Sequence, residues 1–166
     1  NYVADLVESG VNIKVVNNSW GGTANDPLLY QAIQRLDSLG VLFVAASGNS
    51  NQNNNDLQPY YPASFDLPNI ISVASIDCHG RLAPSSNFGP LSVDLAAPGV
   101  GIFSTINDNQ YEYLSGTSMA APHVTGAVAL MYSLYPESTP YAIKQRILDL
   151  VSPSPMLTDK CLAGGL

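Results

Sequence analysis

The 166 residues read as an α/β protein with a layered, mostly parallel sheet flanked by helices. Three observations carry that reading. Val41-Leu42-Phe43-Val44-Ala45-Ala46 is an unbroken apolar run, the signature of a strand covered on both faces. Ile70 to Ala74 repeats the signature. Stretches with helical apolar spacing alternate with these runs, which implies βαβ units.

Residues 2–9 have the pattern of the end of an amphipathic helix, stopped at Gly10. Val11 to Val16 is a short run rich in β-branched residues and is expected to be a strand. Asp26-Pro27 supplies an N-cap and a proline at the first helical position. Leu28, Leu29, Ala32, Ile33 and Leu36 then give that helix an apolar face as far as Gly40. Residues 47–60 are dense in Ser, Asn, Gln and Gly, and Asn51 to Asn55 read as a solvated surface loop. Residues 78–115 are loop-rich, with short extended pieces at Ser92 to Leu95 and Gly101 to Thr105. A long helix is expected from Thr117 to Tyr135 and another from Ser138 to Val151, opened by Ser138-Thr139-Pro140. No repeat or linker divides the chain, so one domain is expected.

Composition narrows the function. The hydrophobic share is 46%, ordinary for a protein with a buried core. Thirteen acidic against six basic residues give a net charge of −7. That argues against a nucleic-acid partner, whose phosphates call for a basic face, and against docking on anionic membrane lipid. No stretch reaches the roughly 18 apolar residues that a membrane span needs. The chain starts inside a helical pattern without Met, so a fragment or processed chain is expected. Charged residues make up only 11%, which leaves Asn, Ser, Gln, Thr and Tyr to provide the polar surface. That style suggests a secreted or extracytoplasmic protein. Cys78 and Cys161 are too few for a disulfide framework; they pair with each other, pair elsewhere or stay free.

Three strand-end motifs carry the chemistry. In Leu114-Ser115-Gly116-Thr117-Ser118-Met119-Ala120-Ala121-Pro122-His123-Val124-Thr125-Gly126 a serine sits where a loop turns into a helix. The free N–H groups of a first helical turn favour a developing oxyanion there. Small residues along this helix suit a buried, closely packed position. In Ala46-Ser47-Gly48-Asn49 an amide follows a buried strand, where α/β sheets form their sites, and it can donate to an oxyanion. Ser19-Trp20-Gly21-Gly22 follows another strand, and its glycines leave backbone free to pair with an extended peptide. A peptide-cleaving site explains all three.

On these residues the chain resembles the subtilisin-like serine proteases, the subtilases. Gly116 to Val124 is similar to the family's nucleophile motif, Ala46 to Asn49 to its oxyanion motif and Ser19 to Gly22 to its substrate-pairing segment. Tyr61-Pro62-Ala63, Ala97-Pro98-Gly99-Val100 and Phe103-Ser104-Thr105 follow in family order. The resemblance implies Ser118 as nucleophile and Asn49 as oxyanion donor. It implies Ser19, Trp20, Gly21, Ala46, Gly48 and Tyr60 as substrate-binding positions, with Tyr60 near the base of the P1 pocket and Trp20 on its wall. No cofactor is implied. The Ala63 to Ile70 turn is similar to a region that holds calcium or another weak cation through backbone carbonyls in some members.

The chain departs from the family in one respect. The upstream Asp and His motifs of subtilases do not occur in it. His123 lies five residues after Ser118 and on one helix points about 140° away, so it cannot serve as base. His79, in Asp77-Cys78-His79-Gly80, reads as a turn residue, and Cys78 with His79 lacks further ligands at a metal-binding spacing. The expected protein is therefore the C-terminal part, 1–166, of one subtilase catalytic domain. A protein or peptide is its substrate, and the missing N-terminal half or a second chain supplies His and Asp.

Sedolisin-type acid proteases share Gly-Thr-Ser but put Asp where Asn49 stands. The nucleophile elbow of α/β-hydrolases needs a buried strand before it, and Tyr111-Glu112-Tyr113-Leu114 is a poor one. The competing class is a non-catalytic binding or structural module on the same fold.

Overall fold

The computed structural model describes residues 1–166. Four parallel strands, β1 (Val15–Asn18), β2 (Leu42–Ala46), β3 (Ile70–Ile76) and β4 (Leu95–Pro98), lie side by side in that order. The register pairs Asn18 with Ala45, Ala46 with Val73 and Ile76 with Pro98. The segments that follow β1 and β2 therefore leave the sheet at the same end.

The apolar run of β2 is buried on both sides, as its sequence required. Leu42, Val44 and Ala46 join Ile71, Val73, Leu95 and Ala97 against Ala120, Ala121, Val124 and Val128 of helix α3 (Thr117–Leu134). Phe43 and Ala45 face the other way. They meet Ala4 of helix α1 (Tyr2–Glu8) and Ile33 and Leu36 of helix α2 (Pro27–Ser38). The result is three layers, with the small residues of α3 letting it lie close to the sheet. Helix α2 begins as its signal predicts, with the Asp26 carboxylate accepting from the Leu28 N–H at 2.8 Å. Helix α4 (Pro140–Asp149) is capped by Thr139, whose hydroxyl accepts from the Ala142 N–H at 3.2 Å.

Several expectations need correction. The first strand starts at Val15 rather than Val11, because the Val11 N–H is spent closing helix α1 on the Leu6 carbonyl. No helix joins β2 to β3: residues 47–69 cross over as turns and loops. Residues 102–114 form an antiparallel hairpin, β5 (Ile102–Ile106) and β6 (Gln110–Leu114), turned by Asp108 and Asn109 at φ +62° and +58°. Its exposed outer face carries Phe103 packed on Tyr111 and Tyr113.

The C-terminal residues lie along β4. The N–H groups of Leu162 and Ala163 reach the carbonyls of Val93 and Asp94 at 2.8 and 2.9 Å, and the Ala96 N–H reaches Gly165 at 3.1 Å. Cys161 is buried there and Cys78 is exposed; both are free thiols. At the opposite edge β1 pairs only with β2. Helix α3 also presents Leu130 and Leu134 to solvent, 62% and 63% exposed. No helix is long and apolar enough to cross a membrane.

Candidate active site

Ser118 is the second residue of α3. The turn before the helix is fixed by the Gly116 N–H, which donates to the Gly99 carbonyl at 2.7 Å. Gly116 has φ +152°, and a Cβ there would stand 3.2 Å from Asn49 Nδ2. Only glycine fits both the backbone conformation and the neighbouring amide. Pro122, four residues on, has no N–H and cannot bond the Ser118 carbonyl within the helix. The Ser19 hydroxyl donates to that carbonyl instead, at 2.8 Å. The Ser118 hydroxyl in turn donates to the Ser19 carbonyl at 3.2 Å. The missing helical bond at a proline thus straps the segment after β1 to the start of α3.

Asn49 stands on the other side of the helix start. Gly116 gives α3 no side-chain cap. Asn49 supplies one from outside, with Oδ1 accepting from the Thr117 N–H at 2.9 Å and the Thr117 hydroxyl at 3.2 Å. That use of Oδ1 fixes which way the amide faces: Nδ2 is left without a protein acceptor, beside the first turn. The Thr117 hydroxyl also accepts from the Gly48 N–H at 3.2 Å.

Behind Asn49 lies a buried amide network. The Ser47 carbonyl accepts from Asn55 Nδ2 at 2.8 Å and Asn87 Nδ2 at 3.1 Å. Asn87 Oδ1 accepts from the Ser50 N–H at 2.7 Å, and the Asn87 N–H donates to the Gly48 carbonyl at 2.9 Å. The expectation of a solvated loop over Asn51 to Asn55 therefore fails at its far end. Asn55 is 1% exposed, and Asn53 donates to its Oδ1 and to the Gln58 carbonyl. Asn51 and Gln52, at φ +53° and +61°, keep the exposed character. Asn87 goes unnoticed in the sequence and Asn55 reads as solvated, because a polar run has no periodicity to separate buried from solvated amides.

Two of the proposed substrate-binding positions, Gly21 and Gly48, meet on one ring. A Cβ on Gly21 would come within 2.5 Å of Tyr60 Cε1, and one on Gly48 within 2.8 Å of Tyr60 Cδ1. Tyr60 thus lies flush against both glycines. The Gly22 N–H donates to the Tyr61 carbonyl at 2.8 Å and the Tyr61 N–H returns a bond at 2.7 Å, which holds Ser19-Trp20-Gly21 near Tyr60. Trp20 is half exposed and meets Phe43 edge-on at 6.5 Å. Ala46 is the last residue of β2, so all eight candidate positions lie at one end of the sheet.

Neither histidine bonds Ser118. His123 Nδ1 donates to the Met119 carbonyl at 2.8 Å, one turn back on its own helix. His79 sits in the Asp77–Arg81 turn. There the Arg81 backbone N–H, aided by the Arg81 guanidinium and the His79 N–H, holds the Asp77 carboxyl down to about 2. No group of three His, Cys, Asp or Glu side chains is arranged to hold a metal. The geometry offers donors to an oxyanion beside a hydroxyl, and no base for that hydroxyl.

A model of the subtilase family, peptidase S8, matches residues 3–160. The chain is 47% identical over 124 residues to subtilisin-like protease 2 of Plasmodium falciparum, covering 72% of this chain and 9% of that protein. It is 40% identical over 147 residues to the thermostable alkaline protease of Halalkalibacterium halodurans, covering 87% and 39%. It is 37% identical over 135 residues to subtilisin DY of Bacillus licheniformis, covering 81% and 48%. The chain thus spans less than half the length of each of these relatives. Among solved structures, the prenylagaramide maturation protease PagA superposes with a TM-score of 0.80 at 29% identity, over 99% of this chain and 63% of that one.

Proposed function

The chain belongs to the subtilase family, and from that premise we propose that it carries the nucleophile and oxyanion half of a serine endopeptidase site. Ser118 attacks the carbonyl of a peptide as its proton passes to the base; the C–N bond breaks, the amine leaves with that proton, and the acyl group stays on the serine oxygen until water hydrolyses it. Asn49 Nδ2 and the Ser118 N–H hold the oxyanion. Ser19, Trp20 and Gly21 pair with the substrate backbone on one side and Ala46 and Gly48 on the other, with Tyr60 beneath the P1 side chain. The general base and its orienting acid are a His and an Asp from outside these 166 residues, and no cofactor takes part. The protein acts outside the cytoplasm.

One observation carries this reading. Asn49 commits its oxygen to Thr117 and so leaves its N–H₂ without a protein acceptor at the start of the helix that carries Ser118. A structural cap alone would call for the oxygen and nothing else. The test is labelling by a fluorophosphonate of the protein comprising this chain and the region that precedes it in its gene product. Labelling at Ser118 that disappears in Ser118→Ala supports the enzyme. A folded protein that neither labels nor cleaves peptides is the non-catalytic module.

A further inference from the structure

The Ala63 to Ile70 turn resembles a cation-holding region, and the residues present answer what cation it holds. The Ile70 carbonyl accepts a hydrogen bond from Lys144 Nζ. The same ammonium stands 2.9 Å from Asp94 Oδ1, and the two side chains are only 14% and 12% exposed. The other Asp94 oxygen accepts from the Ser72 N–H at 2.7 Å, so the carboxylate is fixed at both ends. Lys144 reaches this point from α4. Its charge therefore enters the turn from a different layer of the fold.

At Asp94 and the Ile70 carbonyl, Lys144 already supplies the positive charge. These groups line a cavity of about 380 Å³ together with Asp56 and Asp66. Asp56 is occupied by the N–H groups of Leu91 and Ser92 and by the Ser92 hydroxyl, the last at 2.6 Å. Asp66 is exposed to solvent. A calcium ion on the Ile70 carbonyl would need an oxygen distance of roughly 2.3–2.6 Å. It would then share that oxygen and the Asp94 carboxylate with an ammonium of like charge. At Ile70 and Asp94 the donor set does not fit a metal while Lys144 is in place.

We propose that the Lys144 ammonium is the resident cation of the Ala63–Ile70 turn, and that this protein holds the turn without a bound metal ion. The pair Lys144–Asp94 then pins α4 to the start of β3 and to the residue before β4. Because the turn follows Tyr60 and Tyr61 directly, this pin also steadies one wall of the proposed substrate slot.

The test is thermal melting of the full protein, stripped with EDTA and then supplied with Ca²⁺ or K⁺. Each melt is compared with that of Asp94→Asn, so that only the response arising at this turn is read. The wild type should show no Asp94-dependent shift. Lys144→Met should melt several degrees lower and should gain a cation-dependent rise that the added Asp94→Asn change removes. Lys144→Arg, which keeps the charge, should stay indifferent to cations. If Lys144→Met does not fold, the wild-type and arginine melts still decide. An Asp94-dependent rise in the wild type overturns the proposal, as does a folded Lys144→Met protein that ignores both cations.

Discussion

Asn49 and Gly116 make their contributions through single atoms, and their substitutions should separate cleanly. Asn49→Ala removes a donor that faces developing negative charge, so it should lower kcat while leaving KM nearly unchanged. The scale for one such donor is about 2.7–4 kcal/mol, a value established in subtilisin, a member of this family, and not inferred from this structure. Asn51→Ala is the appropriate control, since Asn51 is exposed and Asn53 is tied to Asn55 and Gln58. Equal kinetics for Asn49→Ala and Asn51→Ala would remove Asn49 from the site. Gly116→Ala adds a methyl 3.2 Å from Asn49 Nδ2 at a backbone angle that disfavours any side chain. It should turn the amide and mimic the loss of Asn49 in kcat, with an added fall in Tm. A Gly116→Ala enzyme with normal kcat would show that the close packing is not needed.

At the scale of elements, the turn that presents Asn49 depends on buried amides more than on its own sequence. Asn87→Ala would leave the Ser50 N–H and one bond to the Ser47 carbonyl unsatisfied. That should cost about 1–3 kcal/mol, read as a lower Tm, and should reduce kcat because Gly48 and Asn49 shift together. A second element carries a pH signature. The Asp77 carboxyl is held near 2 against an ordinary 3.8, chiefly by the Arg81 backbone N–H. A depressed carboxylate stabilises the fold above its ordinary value, and that stabilisation is lost as pH falls from about 4 toward 2. Acid unfolding followed by circular dichroism should show this component, and Asp77→Asn should remove it. An identical acid transition in Asp77→Asn would mean that the turn contributes nothing.

The same scale shows what the sequence made legible. Helices α2 and α4 and strands β2 and β3 were read almost to their ends, because caps and unbroken apolar runs are local signals. The motifs of the candidate site stood out because Gly, Ser, Asn and Pro occur at fixed spacings around Ser118 and Asn49. The course from β2 to β3 was not, since its order comes from Asn55 and Asn87, whose partners are 8 to 40 residues away. Nor was the outer hairpin strand, whose residues are all exposed and carry no burial pattern. The use of Lys144 was equally hidden, because its partners lie 50 and 74 residues off in sequence.

Taken as a whole, the sheet is lined along one edge and open along the other. The β4 edge is lined by the C-terminal residues, whereas the β1 edge has no neighbour. An unpaired strand edge invites pairing with another chain. On the β4 side, Leu95, Val124, Ala127, Leu130, Ile147 and Leu150 line an apolar groove between that strand, α3 and α4. Apolar area of this kind on a soluble domain marks a surface that is normally covered. The site is open in the same sense, since Ser118 donates to the Ser19 carbonyl and to no base. Both features lead to one prediction for the 166-residue polypeptide expressed alone. It should self-associate, visible as a concentration-dependent mass in light scattering, and it should turn over a peptide anilide only marginally. In members of this family, loss of the triad leaves roughly 10³–10⁴-fold acceleration over water, which comes from the oxyanion hole and binding. On the proposed reading the piece that pairs with the β1 edge also brings the base to Ser118, so adding the preceding region in trans should restore both properties together. If the mass fell to that of a one-to-one complex while activity stayed absent, docking and catalysis would be separate matters, and the base would have to come from elsewhere. Brisk turnover by the polypeptide alone would contradict the reading of the site at its root.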